Sequence, residues 1–400
     1  MNDLHYRIAF LHEDFPLGGA ERITSDLARY LQEKGFHIYL ICQKHHPELG
    51  GTETGSCFTI CRMPDAQGLN TSSNLRYISS ILQRENIRIL ILVCNRFSGL
   101  DYLRKNNPEC KLVFAHHGMP FWEIEDKEEK LRRKRQKPGG CLKWILVDFW
   151  KYRLFRFHKQ SCRKSYIRMY RQTDAYTVLC EEYRNEIIRA LDLPETEQKI
   201  HAISNPERLP PQVCPDKQKE VLFVGRMSHA DKRIDRLLRI WKRAESTCPD
   251  WKLTLVGDGP ELENLKRMSR ELSLHQVEFS GYRRDTTRYY RRASILCLTS
   301  SYEGWPLCLT EAQANDVVPV AFACCAGIEA ICTPGECGIL INPFDEEAYA
   351  RELIGLMKND ARRRKMQQAA RRKAHEYAIE KIGMQWLRLF DALLSDSSSS

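Results

Sequence analysis

Short apolar runs alternate with amphipathic stretches twice along the chain, and that rhythm constrains the fold more than any other feature. Tyr6–Leu11, Phe36–Cys42, Ile87–Cys94, Leu112–His116, Tyr176–Leu179 and Lys199–Ile203 each have the length and composition of a buried strand. Between the first two, Ile23, Leu27, Tyr30 and Leu31 recur at helical spacing over Ala20–Lys34, and Gly35 stops the helix. A further helix is expected near Asn74–Glu85. A proline-rich segment, SNPERLPPQVCPDKQK, then breaks the rhythm. It resumes with strands at Glu220–Val224, Lys252–Val256, Val277–Phe279, Ser294–Leu298, Val317–Phe322 and Gly338–Ile341, and helices at Ile234–Ala244 and Glu261–Leu272. One long helical region follows over Glu346–Phe390. Such alternation implies parallel sheets covered on both faces. The expectation is an α/β protein of two Rossmann-like, doubly wound parallel-sheet domains facing a central cleft. The boundaries fall at 1–205 and 206–375, with a helix over 376–394 crossing back to the first domain and a flexible tail over 395–400.

Other classes are excluded by what the chain lacks. The start MNDLHYRIAFLHEDF has no signal-peptide pattern, and no apolar run nears the ~20 residues that span a bilayer. The 16 cysteines include no C-x-x-C pair, so a structural zinc site is not expected. Reduced thiols in a cytoplasmic protein are the simple reading.

Four motifs fall at expected strand ends, where parallel-sheet domains bind ligands. Gly18-Gly19, in HEDFPLGGAER, precedes a helix whose N-terminus favours an anion; a tight turn is the competing reading. Gly225-Arg226, with Lys232 six residues on, can hold a diphosphate, although surface solvation is the usual fate of such cations. Gly257-Asp-Gly-Pro260 reads as a structural turn with Pro260 at the first helical position. In SYEGWPLCLTE, Glu303-Gly304 turns the chain and Pro306 starts a helix. Backbone N–H groups after Gly304 would face an anion, Glu311 can accept ribose hydroxyls, and Glu303 would sit beside a sugar. Solvation of both carboxylates is undercut by apolar Trp305, Leu307 and Leu309.

Taken in order, these motifs resemble those of retaining, GT-B-fold glycosyltransferases of family 4. The resemblance runs from about Tyr6 to Leu394 through GGAER (18–22), His117, Asn205-Pro206, Gly225-Arg226 with Lys232, VGDGP (256–260) and the E-x(7)-E pair. It implies donor binding by Gly18, Gly19, Asn205, Gly225, Arg226, Lys232, Gly304, Leu307, Leu309 and Glu311. It places Glu303 and His117 at the reacting sugar, with His116 competing for the histidine role, and Arg226 and Lys232 on the leaving diphosphate. No D-x-D motif occurs, which agrees with metal-independent transfer. No cofactor is implied. Asp316 and Arg233 stand where the family often has glycine; Asp tolerates the left-handed backbone better than most residues.

The formal charge of +10 is concentrated. Residues 130–171 hold fifteen Lys or Arg against Asp148, or +14, so the rest of the chain sums to −4. Leu142, Ile145, Phe149, Tyr152 and Phe155 keep near-helical spacing there. Such a segment can lie on an anionic membrane surface, where the acceptors of similar enzymes are anchored. An ordinary domain helix competes, and nucleic-acid binding has no accompanying module. The expected function is hexosyl transfer from a nucleotide-sugar, with uridine the expected base, to a saccharide or lipid-linked saccharide acceptor. Lipopolysaccharide, capsule or other polysaccharide would be the product, made in the cytoplasm or at the inner membrane face. The alternative is a catalytically silent binding protein of the same fold, docking on membrane or nucleic acid through 130–171.

Overall fold

The structure, a computed structural model, describes residues 6–16, 18–46, 57–93, 97–135, 157–212 and 216–395. It divides into two units, Met1–Ile203 with Gly383–Ser400, and Ser204–Ile382.

In the first unit the elements run β1 (Arg7–Phe15), α1 (Gly19–Glu33), β2 (His37–His45), β3 (Thr59–Arg62), α2 (Ser72–Arg84), β4 (Ile89–Leu92) and α3 (Leu100–Asn106). They continue with β5 (Lys111–Ala115), α4 (Trp122–Arg135), α5 (Phe157–Gln172), β6 (Ala175–Val178), α6 (Glu181–Leu191) and β7 (Ile200–Ala202). The sheet order is β3-β2-β1-β4-β5-β6-β7, and every pair is parallel. β4 lies mid-sheet with all four residues buried, which is why it reads as unbroken apolar sequence. α1 buries Ile23, Leu27, Tyr30 and Leu31, the face its spacing predicts.

β1 corrects one expectation. The strand expected to end at Leu11 continues through the polar HEDF, because Asp14 and Phe15 still pair with Lys44 and His45 of β2. His12 is buried and bonded to Thr24. The helix α14 (Ile379–Ser395) closes the chain; its Phe390 lies against Phe36 with ring centroids 6.5 Å apart. Residues 136–156, with most aromatics of the basic stretch, lie outside the described residues, as does the tail after Ser395. Among the described residues no helix is long and apolar enough to cross a membrane.

The second unit runs β8 (Glu220–Val224), α7 (Ile234–Thr247), β9 (Lys252–Val256), α8 (Leu262–Glu271), β10 (Val277–Gly281), α9 (Thr287–Arg292) and β11 (Ile295–Leu298). It ends with α10 (Leu307–Ala314), β12 (Val318–Phe322), α11 (Ala326–Ile331), β13 (Ile339–Ile341), α12 (Glu346–Lys358) and α13 (Asp360–Ala374). Its all-parallel order is β10-β9-β8-β11-β12-β13, so strand order reverses between β8 and β11. The long helical region expected over Glu346–Phe390 consists of three helices, α12, α13 and α14. Asn359 leaves helical geometry and caps α13 by accepting from the Arg362 amide at 2.9 Å.

The VGDGP turn is structural, for a reason beyond its turn chemistry. Gly225 N–H donates to Val256 O at 3.0 Å and Met227 N–H to Asp258 O at 2.8 Å, so two loops run backbone against backbone. A Cβ on Gly257 (φ +140°) would lie 1.9 Å from the Gly225 carbonyl oxygen. Pro260 is not the first helical residue; α8 begins two residues later, at Leu262. Gly257→Ala should therefore lower stability by about 3 kcal/mol or more in urea unfolding. A variant as stable as the parent would show that these loops do not touch.

Candidate active site

The strands β8 and β11 are neighbours, Val221 facing Ile295, and the loops that leave their carboxyl ends meet at the point of strand-order reversal. Lys232 comes from the first loop and Glu303 from the second. Lys232 Nζ lies 2.5 Å from Glu303 Oε1, with side chains 18% and 10% exposed. Ser300 Oγ donates to the same oxygen at 2.6 Å. The loops are further stitched by Ser301 N–H to Asp231 O at 2.6 Å and Thr299 Oγ1 to Arg233 O at 3.0 Å. Burial works against the Lys232 ammonium, but the Glu303 carboxylate more than offsets it, so the lysine holds its proton above its ordinary pKa. Gly225 lies beneath: a Cβ there would be 3.9 Å from Lys232 Cε. Arg226 is exposed, with no side-chain partner among the described residues.

After Gly304 the chain packs Trp305 edge-on to Tyr377, ring centroids 5.3 Å apart, and Pro306 occupies the N-cap of α10 in extended geometry. Leu307 is half-buried at the first position of α10. Leu309, which the resemblance assigns to the donor, has a fully buried side chain, and its N–H donates to Pro306 O at 2.9 Å. Glu311 is buried, and Tyr290 of α9 donates a hydrogen bond to its Oε2. This bond takes one of roughly four acceptor positions of a carboxylate and fixes the plane of the group. Tyr290 was not anticipated, since no spacing links it to Glu311. Nor was Glu207, whose carboxylate accepts from Thr310 Oγ1 of α10 at 3.0 Å while its N–H donates to Tyr377 O at 2.7 Å. Asn205, two residues before Glu207, is buried.

The two non-glycine substitutions adopt the geometry glycine would. Arg233 has φ +49° and forks Asp235 at 2.9 Å through both Nε and Nη2; Asp316 has φ +55° and lies 3.5 Å from Arg371.

In the first unit, exposed Gly18 and Gly19 begin α1, with Gly18 as an extended N-cap. His116 and His117 follow β5 and differ sharply. His116 is buried, with Nδ1 3.2 Å from the Tyr176 hydroxyl and Nε2 3.4 Å from that of Tyr166. His117 is half-buried. His12, which sequence reasoning left unassigned, contacts Thr24 Oγ1 at 2.9 Å and lies 3.9 Å from Glu21 of α1. Among the described residues no three His, Cys, Asp or Glu side chains gather as a metal site requires.

Burial, with the charge of His117 adding to it, pushes both His12 and His116 down to about 3. The unfolded chain protonates them near 6.5, so it binds more protons between those values. Stability should then be intact above pH 6.5 and fall by about 1.4 kcal/mol per pH unit per histidine as the pH drops towards 3. Urea midpoints at pH 7, 6 and 5 measure this, and His116→Phe should flatten the slope by about one histidine's share. An unchanged slope in the variant would remove His116 from the account.

The pair of parallel-sheet units, each with motifs at the carboxyl ends of its strands, defines an α/β glycosyltransferase fold of GT-B architecture. The model of glycosyl transferases group 1 matches residues 205–373, and that of glycosyltransferase family 4 matches 17–206. The chain belongs to this family. It is 34% identical over 190 residues to an uncharacterized glycosyltransferase of Haemophilus influenzae, covering 47% of this chain and 54% of that one. It is 33% identical over 174 residues to the amylovoran biosynthesis glycosyltransferase AmsD of Erwinia amylovora, covering 42% and 47%. The chain thus spans about half the length of these curated relatives. Among solved structures, Anabaena HepE in complex with UDP superposes with a TM-score of 0.73 at 15% identity, over 96% of this chain and all of that one. The apo lipopolysaccharide outer core galactosyltransferase WaaB gives 0.68 at 16%, over 96% and 99%.

Proposed function

We propose that the chain transfers a hexose from a UDP-sugar to a saccharide acceptor with retention at the anomeric carbon and without a metal ion. The product belongs to lipopolysaccharide, capsule or related polysaccharide synthesis, and the acceptor is lipid-linked, at the cytoplasmic membrane face. The observation that carries this reading is the Lys232–Glu303 pair at the strand-order reversal, with Glu311 about one turn into α10. In this reading Glu311 receives the ribose. Gly225, Gly304 and the first amides of α10, beginning at Leu307, line the diphosphate, and Gly18 and Gly19 also serve donor binding. Asn205 supports the donor, Glu303 contacts the sugar and His117 serves the reacting centre.

Lys232 is neutralised by Glu303 until a ligand arrives. A diphosphate offers Lys232 a second anionic partner, and exposed Arg226 supplies the uncompensated charge that draws it in. As the C1–O bond to the diphosphate breaks, the electron pair leaves with the phosphate, where Lys232 and Arg226 stabilise it. The acceptor oxygen bonds C1 on the same face and its proton passes to the departing phosphate oxygen. No side-chain acid is then needed. The silent-scaffold alternative leaves a buried cation and two buried carboxylates at one strand switch without a purpose, and is less well supported.

The test is thermal stabilisation by UDP, GDP and ADP with EDTA present. UDP at about 100 times its dissociation constant should add about 2.7 kcal/mol to wild type and nothing to Glu311→Ala. Failure of all three nucleotides to stabilise the chain would end the transferase reading. Tyr290→Phe, which keeps the ring but frees Glu311 to turn, should weaken UDP about tenfold by calorimetry. Unchanged affinity would show that Glu311 needs no such support.

A further inference from the structure

Glu311 belongs to α10, but more than its own helix holds it. The Tyr290 hydroxyl of α9 donates to Glu311 Oε2, and the Asn315 side-chain amide donates to the Glu311 carbonyl oxygen at 2.9 Å. The main chains of Tyr290 and Asn315 then meet at Lys217, which is half-buried. Its Nζ donates to Tyr290 O at 2.9 Å, to Arg291 O at 3.1 Å and to Asn315 O. A closed circuit results, running from Lys217 through Tyr290, Glu311 and Asn315 back to Lys217.

An ammonium has three N–H donors, and here each has a carbonyl. The last carbonyls of a helix find no partner within it, and the helix dipole makes them partly negative. Tyr290 and Arg291 lie in the last turn of α9, and Asn315 is the C-cap of α10. Two partly negative helix ends brought to one point repel unless a cation lies between them, and Lys217 is that cation. No neutral side chain offers three donors from one atom. Nothing in the sequence marks this lysine, which sits in the proline-rich segment ahead of β8. The same segment grips α10 a second time, where Glu207 accepts from Thr310 Oγ1 at 3.0 Å.

We propose that Lys217 is a positioning residue for the nucleotide: by fixing the end of α9 against the end of α10, it sets the Glu311 carboxylate for the ribose hydroxyls. The inference rests on the transferase reading and deepens it. Lys217 acts through Tyr290 and Asn315 and not on the ligand. Without the ammonium the two helix ends separate, the Tyr290 hydroxyl no longer fixes the plane of the Glu311 carboxylate, and the ribose loses an oriented acceptor. A clamp that served stability alone would leave the choice between ribose and deoxyribose untouched, so that choice is the readout.

The experiment is calorimetric titration of the full chain with UDP and with 2′-deoxy-UDP. Wild type should bind UDP about tenfold more tightly, the share of one hydroxyl donating to a carboxylate. In Lys217→Met that preference should fall to about twofold, and in Lys217→Arg, which keeps the charge but offers a planar fork to three convergent carbonyls, to about fivefold. Lys217→Arg carries the test if Lys217→Met does not fold, which a thermal scan of each variant reports. Lys217→Met combined with Tyr290→Phe should lose no more of the preference than either change alone, because both act on one circuit. A preference unchanged in the folded Lys217 variants overturns the inference and leaves donor binding standing. So does a double variant in which the two losses multiply. Equal binding of both nucleotides by wild type removes Glu311 as the ribose acceptor and Lys217 with it. Failure of wild type to bind UDP overturns the transferase reading and the inference together.

Discussion

The ion pair between Lys232 and Glu303 is the interaction on which the second unit's chemistry depends. Removing two ions this far from water costs several kcal/mol each, and only close geometry and extra hydrogen bonds repay it. Both are present, with the ammonium at 2.5 Å and the Ser300 hydroxyl at 2.6 Å on one carboxylate oxygen. The consequence is that the loops after β8 and β11 cannot move independently. Loss of either partner would strand the other charge, so the pair is a constraint on stability as well as a site. It also makes the ligand-free site nearly neutral, which leaves the attraction of an anion to Arg226.

The core of this fold was legible because its strands are buried on both faces. β4 (Ile89–Leu92) and β11 (Ile295–Leu298) are apolar without alternation, and so is β8 after Glu220. Sequence reasoning failed where tertiary pairing overrides polarity, as along His12–Phe15, which is polar sequence held in a parallel ladder by β2. The break at Asn359 was not located within the helical region, because one capped residue divides α12 from α13 without a glycine or proline to mark it. Six-residue helices such as α9 and α11 are shorter than the windows over which helical periodicity can be counted.

The candidate site divides along the same line. Glu303 and Glu311 stand out because their spacing lies within one local stretch, and Lys232 because it follows a strand end. Tyr290 and Glu207 do not stand out, because their partners, Glu311 and Thr310, are respectively 21 and 103 residues away and the bond exists only after folding. The choice between His116 and His117 had the same character. Adjacent in sequence, they differ because tyrosines 50 and 60 residues downstream enclose the first and not the second.

The charge state of the buried histidines bears on the first unit's stability and on His117. Burial keeps His12 and His116 uncharged at any pH above about 3, so neither adds a positive charge beside His117. An oxocarbenium-like carbon is itself cationic, and protonated neighbours would raise its energy. The cations that a departing diphosphate needs, Arg226 and Lys232, come from the second unit. Protonating the buried histidines would weaken the fold. The same burial that makes the first unit acid-sensitive therefore leaves His117 without a second imidazolium beside it.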